Sequence, residues 1–301
     1  MASHSATAAS EHIILPFDLR ADPGALYEPE NMKVLQNLFP ENYGLSTDGF
    51  FIYFIQAEMP PKPWPKSVAG LTPYFAPRMG TQYMPRLIGK MVPMRNVSIA
   101  DDLNGRDMVD WEPLFITVRN HFREIGISIR GVMYWRDYLV VILQDWETNT
   151  MKLPRAAGNI RVYYRYEDED AMERPSTPQS RCETDTRPEN QVVLQRLTPA
   201  KGRRTGDFVF LALSDTDLIE ASFKVTSFQR VEEQWVFLIW LYMGQDSSEG
   251  FSPVYGTAIW TADGDVLGFV RYALNVGFMK DWCAGIAADE FIDRGGLLHN
   301  C

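Results

Sequence analysis

The chain has 301 residues, 46% hydrophobic and 13% aromatic, enough to bury one large core or two small ones. Acidic side chains number 39 against 29 basic ones, and the formal charge of −10 argues against a general nucleic-acid or anionic-membrane partner, because phosphate binding is dominated by clustered Lys and Arg. The one basic run, Lys201-Gly202-Arg203-Arg204, reads as a solvated loop.

The first residues, MASHSATAASEH, carry neither a basic start nor an apolar run of about 7 to 15 residues, so they read as a tail and not as a secretory signal. No stretch approaches the ~18 apolar residues of a membrane span, and Trp235–Met243 is only strand length. Cys182, Cys283 and Cys301 make an odd number of cysteines, which fits reduced thiols and a cytosolic location better than a disulfide frame.

Residues 1–44 read as a tail and entry segment. Leu45–Gln56 reads as a turn followed by an aromatic, β-branched strand. Met59–Pro65 (MPPKPWP) should adopt polyproline II and serve as an ordered connector that packs Trp64. The clearest helix starts at Asp110, with Glu112 and Pro113 in its first turn, apolar Leu114, Val118, Phe122 and Ile125 on one face, and Gly126 as its stop. Ile127–Leu143 predicts two strands turning near Trp135-Arg136-Asp137, and Ile160–Tyr166 another. These elements predict an α+β domain over 45–166, a sheet with the helix on one face.

Residues 167–190 are rich in charge, Ser, Thr and Pro and nearly free of aliphatics, as a linker should be. Beyond them, over 191–301, short strands follow one another (QVVLQRL, DFVFLAL, EASFKVTSFQRV, QWVFLIWLYM, GTAIWTA, DVLGFVRYAL), which predicts a mainly antiparallel barrel or sandwich. Asp263-Gly264 marks a tight hairpin, and Ile286–Gly296 a terminal helix. The fold class expected is therefore α+β, in two domains.

In chymotrypsin-like proteases the nucleophile sits in a Gly-x-Ser-Gly turn, followed by a strand, a hairpin, a second strand and a closing helix. Tyr255-Gly256-Thr257-Ala258-Ile259-Trp260, then Asp263-Gly264-Asp265, then Val266-Leu267-Gly268-Phe269 resemble that order of elements. More broadly, FREIGISIRGVMYW, FVFLALSDTDLIEASF and MKDWCAGIAADEFIDRGG resemble a family of uncharacterised filamentous-fungal proteins that look like distant relatives of trypsin-fold peptidases. The resemblance implies a protease-like barrel without an established activity.

The departures bear on chemistry. Tyr255 stands where an active protease carries its serine, and an unactivated phenol is a poor acyl-transfer nucleophile. A serine mechanism also needs a base within hydrogen-bond reach. Of the four histidines, His4 and His12 fall near the start, His299 near the end, and His121 on the Asp110 helix, so none suits a triad. Weak catalytic candidates remain in Tyr255, Thr257 and Cys283, the last placed just before a helix N-terminus, where a thiol pKa can fall. Asp263/Asp265 and Asp289/Glu290 read as hairpin-turn and helix-surface groups. Phosphate-loop, dinucleotide, Cys-x-x-Cys and His-Glu-x-x-His motifs are absent, and His121 with Glu124 is at most half a metal site, so neither cofactor nor metal is expected.

Two functions fit. One is a catalytically inactive protease-like interaction or ligand-binding protein, with Trp64, Trp135, Tyr255 and Trp282 as anchors for a protein partner or an apolar small molecule. The alternative is a hydrolase or isomerase without a serine triad, acting on an apolar small molecule in an aromatic-lined pocket.

Overall fold

The structure is a computed structural model and describes residues 12–77, 95–100, 110–135, 138–145, 149–166, 194–212, 218–245, 255–274 and 281–295. Of these, 48% lie in strands and 17% in helices, so the protein is mostly β. None of the described helices is long and apolar enough to cross a membrane. The chain forms two compact units, Met1–Pro85 and Arg86–Cys301.

In the first unit, β1 (His12–Ile13) pairs in parallel with β4 (Ser67–Val68). Helix α1 (Pro29–Leu38) precedes a three-stranded sheet in which β3 (Phe51–Gln56) lies between antiparallel β2 (Asn42–Thr47) and parallel β5 (Thr72–Pro77). Leu26, Leu35, Ile52, Phe54, Val68 and Phe75 are fully or almost fully buried together. Part of the expected entry segment, from Leu19 onward, is thus core. Trp64 packs on that core as expected, its ring 5.6 Å from Phe75 and its indole N–H donating to the Pro60 carbonyl at 2.8 Å.

The second unit begins with β6 (Arg95–Ser98) and helix α2 (Glu112–Glu124). Asp110 accepts the Glu112 N–H at 3.1 Å, and Gly126 closes the helix at φ +73, a left-handed conformation that costs glycine little. Leu114, Phe115, Val118 and Phe122 recur on one face and are buried. They pack on a mixed sheet of β7 (Ile129–Trp135), β8 (Tyr138–Leu143), β9 (Pro154–Ala157) and β10 (Ile160–Tyr166). Its order is β7-β8-β10-β9-β6, with β8 and β10 parallel and β7 and β8 antiparallel.

After the two-residue β11 (Arg196–Leu197) come β12 (Phe208–Ala212), β13 (Leu218–Val231), β14 (Gln234–Tyr242), β15 (Ala258–Trp260), β16 (Asp265–Leu274) and β17 (Trp282–Ala287). These last six close into a ring, β12-β13-β14-β17-β16-β15 and back to β12, antiparallel at every step. In chain order the ring reads first, second, third, sixth, fifth, fourth. Closure leaves no free edge among its members and makes a barrel. Its interior is filled by Val209, Leu211, Phe223, Ile239, Leu267 and Cys283 among others.

The expected division into 45–166 and 191–301 differs from the one observed. Strand β13 pairs with β12 through residues 218–222, and further along it pairs with β7 through Ser227–Gln229. Its register against β14 shifts between Phe223 and Val225, a bulge at Lys224 that bends the strand out of the barrel and into the open sheet. One backbone ladder thus joins the α2 sheet to the barrel, whereas residues 45–77 belong to the first unit. The expected linker, 167–190, lies outside the described residues.

The C-terminal elements also depart from expectation. Ile286 and Ala287 end strand β17, and the terminal helix α3 is a single turn, Asp289–Ile292. The Asp263-Gly264 hairpin is present: the Thr261 N–H donates to Asp265 and the Gly264 N–H to Thr261, both at 2.9 Å, with Gly264 at φ +83.

Candidate functional site

Of the six residues singled out from sequence, the structure scatters five through packed regions and leaves one on the surface. Trp135 and Trp282 are 1% and 0% exposed, their rings 5.3 Å apart, and Tyr242 meets Trp282 edge-on at 5.6 Å. They join β7 to the barrel as core, which corrects their reading as binding anchors. Trp64 is half-buried in the first unit.

Cys283 stands mid-strand in β17, fully buried in the barrel interior, and not ahead of a helix N-terminus. Burial pushes its thiol up to about 12, away from the thiolate that nucleophilic chemistry requires. The expectation of a lowered pKa is reversed. Small residues made β17 hard to recognise, and the barrel needs glycine there and on its neighbour: a Cβ at Gly285 would stand 2.9 Å from the Phe269 carbonyl oxygen, and one at Gly268 of β16 2.4 Å from that of Ile286 in β17.

Tyr255 is 40% exposed and opens the turn before β15. That turn is tied to β16, since the Gly256 N–H donates to Val270 at 2.9 Å and the Val270 N–H to Thr257 at 2.8 Å. The Arg271 guanidinium lies 4.6 Å from the centre of the Tyr255 ring and pairs with Glu232 at 2.7 Å. A guanidinium is no proton acceptor at neutral pH, so this neighbour cannot serve the phenol as a base. Thr257 is half-buried beside it. His121 belongs to α2, on the open sheet, and His12 to the first unit, where Nδ1 lies 3.1 Å from Ser67 Oγ. His4 and His299 are outside the described residues.

Two carboxylates taken for helix-surface groups act inside the fold. Asp289 accepts the Ala200 N–H and Glu290 the Phe237 N–H, each at 2.7 Å, so α3 is fastened to the barrel. Burial holds the Glu290 carboxyl above its ordinary range despite that hydrogen bond and Arg294. Lys201, from the basic run, pairs with Glu112 of α2 at 3.2 Å. Among the described residues no three His, Cys, Asp or Glu side chains cluster in a way that would hold a metal ion.

Sequence reading missed a groove of about 440 Å³ beyond the end of α2, lined by Arg119, Arg123, Ser128, Gln144, Arg230 and Trp235 among others. Arg119 is half-buried, its guanidinium 5.3 Å from the Phe228 ring and 5.9 Å from Trp235, two rings themselves 5.0 Å apart. Burial, with the nearby Arg123 charge, lowers the Arg119 pKa. Arg123 is exposed one turn along α2, and Arg230 on β13 pairs with the exposed Glu233 at 2.5 Å. The one local sign of this site is the Arg119/Arg123 pair at i, i+4, where like charges disfavour a helix.

No family model, curated protein or solved structure matches the chain.

Proposed function

We propose that the protein is a catalytically inactive, protease-like module that binds a ligand or partner without covalent chemistry. The observation that carries this reading is the condition of its nucleophile candidates: Cys283 is enclosed with its thiol pushed up to about 12, and Tyr255 is held against a cation. The turn, strand, hairpin and strand from Tyr255 to Leu274 support the resemblance to a protease nucleophile loop, with β17 inserted before the closing helix. Exposed Tyr255 and the arginine groove supply recognition surfaces.

The test is intact-mass spectrometry of native and denatured protein after exposure to a fluorophosphonate and to iodoacetamide. The expected result is no adduct that requires the folded state, with Cys283 alkylated only after denaturation. A stoichiometric adduct formed only by the folded protein on Tyr255, Thr257 or Cys283 would establish an activated nucleophile and end this reading.

A further inference from the structure

We propose that the groove lined by Arg119, Arg123 and Arg230 binds a small molecule through a phosphoryl group. This rests on the binding-module reading and names its ligand class. The chain carries a formal charge of −10, yet none of the described residues lining this groove is acidic. Among the described residues, of its three guanidiniums only Arg230 has a carboxylate, Glu233, within 4 Å. Two cationic charges are left for a ligand, which matches a phosphate monoester dianion near neutral pH.

The cations are also held in place. Arg119 lies against the faces of Phe228 and Trp235, which fix a guanidinium without neutralising it. Nor does helix capping account for them. The α2 carbonyls of His121, Phe122 and Arg123 accept the backbone N–H groups of Ile125, Ile127 and Gly126 at 3.0 to 3.2 Å. Holding Arg119 half-buried beside Arg123 costs electrostatic free energy that an anion would offset. Planar guanidiniums match phosphoryl oxygens in bidentate fashion, Ser128 and Gln144 add neutral donors, and about 440 Å³ is the size of a small-molecule site.

Two further grooves among the described residues differ, one in charge balance and the other in burial. Lys201 in one is matched by Asp110, Glu112 and Asp289. The second also carries two arginines and no acidic lining residue, but Arg155 and Arg161 are both exposed on the paired strands β9 and β10, whereas Arg119 is half-buried against two aromatic rings.

The experiment is calorimetric titration of the full chain with pyrophosphate, phenyl phosphate and succinate, with melting temperatures to verify folding of each variant. Pyrophosphate and phenyl phosphate should bind and succinate bind at least about tenfold more weakly. Arg119→Gln and Arg123→Gln should each weaken phosphate binding about tenfold or more, and Arg155→Gln should leave it unchanged. Glu233→Gln, which releases Arg230, should tighten it about threefold. The proposal is overturned by absence of binding at millimolar phosphate, by affinity that survives both arginine substitutions in correctly folded protein, or by succinate binding as well as pyrophosphate. Hydrolysis of phenyl phosphate with the same arginine dependence would support the groove while removing the non-catalytic reading, so the two fail separately.

Discussion

The barrel and the open sheet share strand β13, and both have apolar cores, but they differ in what they leave accessible. Inside the ring, apolar side chains and close-approaching glycines fill the space, and the chemically most reactive residue type present, Cys283, is sealed among them. Beyond the bulge at Lys224 the same strand carries Phe228 and Arg230 to the rim of a polar groove beside α2. Reactivity is suppressed where packing is complete, and charge is concentrated where packing stops. The closed barrel contributes rigidity, while the charged groove lies on its flank.

Substitutions can break this contrast, and the largest effect is expected from the core. Trp282→Ala should cost about 4 kcal/mol, since it empties a fully buried indole site between Trp135 and Tyr242. Chemical denaturation measures it, and a loss below about 1 kcal/mol would return Trp282 to the list of surface anchors. Gly268→Ala should cost about 3 kcal/mol, because the new methyl meets backbone of β17 and not a movable side chain.

A pH series tests the burial of Cys283. Its thiol pKa is raised from 9.0 to about 12 by desolvation. The unfolded thiol therefore ionises first, and the stability contributed by this group is complete below pH 9 and is lost as pH rises toward the folded value. Wild type should lose about 2 kcal/mol more than Cys283→Ala by about pH 10.5, read from parallel denaturation curves. Equal losses would mean that the thiol is not sealed.

Surface changes should be smaller. Tyr255→Ala removes a 40% exposed ring and should cost under about 1 kcal/mol in chemical denaturation, with pyrophosphate affinity unchanged. A loss above about 2 kcal/mol would make Tyr255 part of the core. Arg123→Gln should stay within about 0.5 kcal/mol of wild type, because relief of repulsion from Arg119 is offset by loss of a cation near the helix C-terminus.

Much of the local structure was legible in the sequence. The α2 face Leu114, Val118 and Phe122, the stop at Gly126, the β7–β8 pair and the Asp263-Gly264 hairpin all follow from periodicity and turn chemistry, and each is found. Strand β17 was not legible, because WCAGIA lacks the β-branched alternation that marks a strand. Its small residues answer to neighbours distant in sequence, such as Ile259 and Phe269 against Gly285. The domain division failed for a related reason: the pairing of β7 with β13 joins residues about a hundred positions apart and leaves no local trace. The groove likewise draws Arg119, Gln144 and Arg230 from three separate segments, and only the i, i+4 arginine pair hinted at it.

The contrast between sealed barrel and charged flank is tested most directly by titrating pyrophosphate into isotopically labelled protein and following backbone amides and arginine Nε–H resonances by NMR. The account predicts shifts confined to Arg119, Arg123, Arg230 and the amides of residues 126–129, with Ala258–Trp260 and Trp282–Ala287 unmoved. Shifts centred on Tyr255, Thr257 and β17, with the arginines silent, would place recognition in the barrel and contradict it.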